Sequence, residues 1–139
     1  MDNRNFERQV GALRTAVKSA IGFHCLFEDV GSSGGVQVQA LLYRANVVAA
    51  GLDAAHGFIR LFPSLLDIYP DPAGSVESVY DKAQAVVATC ARVEESDNGD
   101  RGAIFDEAHR IDDEAGLYDR CSDLALSILG LFKGLGIAT

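Results

Sequence analysis

Apolar residues recur along this chain every three or four positions, the period of a helix with one buried face. Phe6, Val10, Leu13, Val17, Ala20, His24 and Phe27 form the first such seam and predict a helix from about Asn3 to Asp29. Gly31-Ser32-Ser33-Gly34-Gly35 is expected to end it, because glycine takes the left-handed conformation of a helix end without steric cost and serine caps the helix that follows. A second seam, Val36, Ala40, Tyr43, Val47, Ala50, Ala54, Phe58 and Leu61, predicts a helix that stops before Pro63, whose ring disfavours helical geometry at Phe62. A third helix is expected to start at Asp71-Pro72 or Ser75, to carry Val76, Tyr80, Ala83, Val87 and Cys90 on its seam, and to fray near Glu95. Asp97-Asn98-Gly99-Asp100 has the composition of a turn. The fourth helix is expected from about Arg101 to Lys133, where Gly134 and Gly136 stop it.

Four long helices with short connections define an all-α fold, an antiparallel four-helix bundle, in a single domain spanning 1–139. The second helix is unusual within it. Leu41, Val48, Leu52, Ala55, Ile59 and Leu66 make another apolar stripe roughly 130° from the first. A helix in a four-helix bundle contacts two neighbours, so a second stripe predicts burial by another subunit, and a homodimer formed through helix 2 is the expectation. A closed, more globular monomer is the alternative.

Composition adds little to this picture, but charge adds much. The 139 residues are enough for one core without staples, and an apolar fraction of 48% with 23% charged residues is ordinary for a globular chain. Cys25, Cys90 and Cys121 are odd in number and widely spaced, which argues for reduced thiols rather than a disulfide framework or zinc knuckle. The start of the chain lacks the layout of a secretory signal, and no tract is long and apolar enough to span a membrane, so a cytoplasmic location is expected.

Between Glu94 and Asp123 lie eleven carboxylates and three arginines, a balance of −8 that equals the net charge of the whole protein. A surface of that sign repels nucleic-acid phosphates and anionic membranes and attracts a basic protein. Asp106, Glu107, Asp112, Asp113, Asp119 and Asp123 are therefore the expected partner-binding residues. The expected function is that of a non-enzymatic, protein-binding bundle, analogous in its small, acidic, helical character to immunity proteins, secretion chaperones and inhibitors.

Several chemistries compete with this reading. Asp106-Glu107-Ala108-His109 is similar to the metal-binding box of a large helicase family, yet that box works with a GxxxxGK[ST] phosphate loop, and none exists here. With Ile104, Ala108, Ile111, Ala115 and Tyr118 turned inward, Asp106 and His109 are expected to face solvent. Asp53-Ala54-Ala55-His56 repeats the same spacing and resembles the carboxylate-x-x-His pairs of ferritin-like di-iron bundles. Those pairs use Glu and face inward, whereas both pairs here project away from their seams. No cofactor and no metal-ligand set is therefore assigned. The alternative is an enzymatic or metal-dependent bundle with a polar pole around His24 and His109, gathering Cys25, Glu28, Cys90, Glu94 and Glu95.

Overall fold

The computed structural model describes residues 3–33, 37–69, 73–96 and 116–137, and the elements found there are all helices. They are α1 (Asn3–Ser33), α2 (Gln37–Ile68), α3 (Ala73–Ser96) and α4 (Leu117–Leu135). Leu13 meets Gly57 and Phe23 meets Tyr43, so α1 and α2 run antiparallel. Helix α3 pairs with α4 through Lys82 and Ser127, and α4 with α1 through Tyr118 and His24. The result is a four-helix bundle, as the apolar period predicts.

The seam of α1 is buried where it was expected, at Val10, Leu13, Val17 and Ala20. That of α3 is turned slightly from the expected one, with Val79, Val86 and Thr89 buried and Tyr80, Val87 and Cys90 only partly covered. Helix α2 supplies the middle of the core through Val47, Ala54, Phe58, Leu61 and Leu65. It packs against all three other helices, as α4 also does, and in this the molecule departs from the two-neighbour geometry. Cys121 of α4 reaches α2 at Gly51, and Tyr80 of α3 meets it further along at Phe62. From the second apolar stripe, Ala55 is buried, and Val48, Leu52, Ile59 and Leu66 pack against the core from its edge. Much of that stripe is thus covered from within the chain.

Three helix ends correct the sequence expectations. Helix α1 continues through Gly31, Ser32 and Ser33, because each residue added to an existing helix gains a backbone hydrogen bond. Helix α2 does not stop before Pro63 but runs through it to Ile68. Proline in a helix interior costs about 3 kcal/mol through its missing N–H and its clash with the preceding turn. Leu61 and Leu65 are fully buried on either side and Phe62 stacks on Tyr80 with centroids 3.9 Å apart, and burying each such side chain is worth about 1.5–3 kcal/mol. Continuing the helix therefore wins, with Pro63 on its exposed side.

The third correction concerns α4. Gly116 has φ of 64°, the left-handed region, so a single helix cannot run from Arg101 through it. Helix α4 begins at Leu117 instead, and Arg120 N–H donates to the Gly116 carbonyl across 3.1 Å. Ile104, Ala108, Ile111 and Ala115, the expected first half of that seam, lie outside the described residues. At the other end, Gly136 with φ of 77° donates to Lys133 O and Ile137 to Phe132 O, the paired bonds of a Schellman cap.

Candidate functional site

Among the described residues, a polar cluster is built where the second half of α1, the first half of α2 and the first two turns of α4 converge. His24 projects from the seam of α1, which the three-four period requires, and its Nδ1 lies 2.6 Å from the Tyr118 hydroxyl. The Ser122 hydroxyl approaches the same nitrogen at 3.4 Å, and Nε2 faces Glu28 Oε1 at 3.8 Å. Burial raises the Tyr118 hydroxyl above its usual range and Glu28 pushes the same way, while the Ser122 hydrogen bond and the Arg44 guanidinium pull it down. Tyr118 therefore keeps its proton at neutral pH. The tautomer of His24 that carries its hydrogen on Nε2, toward the Glu28 carboxylate, leaves Nδ1 to accept from the Tyr118 hydroxyl.

Arg44 caps the cluster from α2. Its guanidinium carbon sits 5.0 Å from the Tyr118 ring centroid and 5.7 Å from that of Phe27, within the range of cation–π attraction. Phe27 and Tyr118 are themselves 4.9 Å apart and tilted, and His24 and Tyr118 5.6 Å. The arrangement orients an imidazole between a hydroxyl and a carboxylate and ties three helices together. Beside it, the crevice bounded by Ala20, Ile21, Ser122 and Ala125 is too narrow for a water molecule.

One turn along α4, Cys121 is fully buried against α2, and its thiol is pushed up to about 12, first by burial and then by Cys90. Cys90 acts electrostatically on Cys121, and Cys25 is exposed. Of the expected polar pole, the structure joins His24 to Glu28, whereas His109 and the side chains of Glu94 and Glu95 lie outside what is described. Among the described residues, no group of three or more His, Cys, Asp or Glu is placed to hold a metal ion. Nor is any helix there long and apolar enough to cross a membrane.

The expected partner-binding residues divide in the same way. Asp119 and Asp123 are exposed on α4, Asp123 paired with Lys82 Nζ at 3.1 Å. Asp106, Glu107, Asp112 and Asp113 lie outside the described residues. Asp53 and His56 are exposed along a groove of about 460 Å³ between α1 and α2, with Arg60 further along it. Sequence reasoning missed Tyr118, Arg44 and Ser122 as a group. In the sequence Arg44 interrupts the apolar run from Ala40 to Leu52, and that polar interruption is the trace of its place over two aromatic rings.

The fold and site define a class, an antiparallel four-helix bundle with a closed polar corner. Comparison of the chain with protein-family models, curated proteins and solved structures finds no match for it.

Proposed function

We propose that this protein is a protein-binding bundle, working as a homodimer, that presents the acidic segment 94–123 to a basic protein partner. One observation carries the reading: the whole net charge of −8 falls within those thirty residues while the rest of the chain balances to zero. A field concentrated in that way steers an oppositely charged partner and raises its encounter rate more than its final affinity. The exposed carboxylates of Asp119 and Asp123 support it at the described end of the segment. Asp119 supports it more directly, because Lys82 already offsets Asp123.

Immobilised polylysine serves as a generic cationic probe. Binding is expected to weaken steeply between about 0.05 and 0.5 M salt. It is also expected to fall when Asp112, Asp113 and Asp119 are replaced together by Asn. Retention that is indifferent both to salt and to this triple substitution would remove electrostatic steering as the function of the segment.

A further inference from the structure

We infer that the outer face of the α1/α2 hairpin docks a second copy of this chain, antiparallel, about a two-fold axis at the level of His56 and Gly57. The inference rests on the reading that the working unit is a homodimer; it concerns a different face from the acidic segment and names the surface that pairs. The face is low along its middle, where Ala12, Thr15, Ala16 and Ser19 of α1 meet Ala49 and Gly57 of α2 across the groove. Its ends are apolar. The register set by Phe23 beside Tyr43 and Leu13 beside Gly57 puts Leu26 level with Leu42 where the two groove walls run on, and both are exposed, at 43% and 40%. At the opposite end, beyond the start of α1, Ile68 extends the helical row of Gly57 and Leu61 and is 39% exposed. Three of the four large apolar side chains that are exposed among the described residues therefore border one face.

Charge identifies the occupant. Asp53 and Arg60 are seven residues apart, which places them about 10 Å apart along α2 and within about 20° of the same direction. Both are exposed, and neither has an ion pair or hydrogen bond with another described residue. Equal and opposite charges at that separation are self-complementary in an antiparallel pair, since a two-fold axis midway between them sets Asp53 against the partner's Arg60 and repeats the contact by symmetry. The same axis brings Asn46 opposite the partner's Asp67 and Leu42 toward the partner's Ile68. Charged pairs at the centre and apolar contacts at both ends thus follow from a single operation. The footprint, about 40 Å of helix by the width of two helices, is about 800 Å² per copy, which matches a standard stable interface. The groove between α3 and α4 is larger, about 700 Å³, but its cation Lys82 is already engaged by Asp123 and Ser127.

The test is the mass of the intact protein by light scattering and sedimentation at low salt. The wild type is expected at twice 14.8 kDa. Asp53→Arg and Arg60→Asp each set like charges face to face and are expected to weaken pairing at least about tenfold, with helix content unchanged because both positions are exposed. An equimolar mixture of these two variants is expected to restore the dimer as a heterodimer, and the doubly reversed chain is expected to pair with itself. Leu42→Asp weakens pairing, whereas Leu126→Asp, exposed on α4, leaves it intact. A wild type that stays monomeric at millimolar concentration overturns the pairing itself. A dimer insensitive to both charge reversals and to Leu42→Asp overturns this face while leaving pairing in place.

Discussion

Tyr118 and Cys121 lie less than one turn apart on α4, yet they anchor it by opposite means. Cys121 faces α2 where that helix has no side chain at all: a Cβ built on Gly51 would lie 2.3 Å from Cys121 Cβ, 2.6 Å from its sulfur and 3.1 Å from its Cα. Tyr118 faces α1 across a hydrogen bond and three aromatic or cationic neighbours. The first contact is specific because it excludes every atom but one hydrogen, the second because it satisfies polar groups that burial would otherwise penalise. A crossing that excludes tolerates no addition, whereas a corner that satisfies degrades by degrees.

The largest effect is therefore expected at Gly51. Gly51→Ala gains up to about 1 kcal/mol of helix propensity, but it must move backbone as well as sulfur, since Cys121 Cβ and Cα are among the atoms met. We expect a net loss of about 2–3 kcal/mol in urea unfolding. Cys121→Ala keeps the Cβ that clashes and should not rescue it, while Cys121→Gly should restore part of the loss. Rescue by the alanine would mean that sulfur alone limits the crossing.

Alkali probes the same contact through its proton. The Cys121 thiol is held up to about 12 in the folded chain against 9.0 for the free group, so above pH 9 the unfolded chain gives up a proton that the folded chain keeps. That contribution to stability is complete below pH 9 and is lost as pH rises toward 12, at up to about 1.4 kcal/mol per pH unit. Tyr118, raised from 10.0, adds a loss of the same sign above pH 10. Unfolding curves for wild type and Cys121→Ala between pH 8.5 and 11 should therefore converge as pH rises; parallel curves would mean the thiol titrates normally.

At the corner, Tyr118→Phe keeps the ring contacts and removes only the hydroxyl 2.6 Å from His24, so a loss of about 1 kcal/mol is expected. Arg44→Leu should cost about the same, because cation–π attraction at a partly buried site is worth about 0.5–2 kcal/mol. In a double-mutant cycle the pair should couple, since both act on one ring.

These two regions also differ in how far the sequence disclosed them. The apolar period located α1 and the middle of α2, including His24 on its seam, because burial of one face imposes that period whatever the partner is. It did not reveal that Gly51 meets Cys121 or that Tyr118 meets His24, contacts made across 70 and 94 residues of chain. Pro63 and Gly116 misled in opposite directions. Local chemistry at Pro63 is overridden by burial of Leu61 and Leu65, whereas Gly116 sits inside an otherwise helical sequence pattern although its positive φ marks the start of α4. The acidic segment was legible as charge but not as surface, because net charge accumulates along the sequence while exposure depends on packing.

The smallest effect is expected on the opposite side of α4, where Asp123 pairs with Lys82 at 3.1 Å with both side chains substantially exposed. Such pairs contribute about 0.2–1 kcal/mol, and Lys82 also donates to Ser127 at 3.0 Å, so Lys82→Met should lower stability by about 0.5 kcal/mol, and by less at high salt. Its more informative consequence is electrostatic. Removing Lys82 releases the Asp123 carboxylate from its partner and adds one unit of negative charge beside Asp119, so binding to polylysine should strengthen at low salt, while Asp119→Asn should weaken it. Equal polylysine binding in the two variants would mean that the described end of the acidic segment takes no part in attracting a cationic partner, and would confine any such role to its remaining carboxylates.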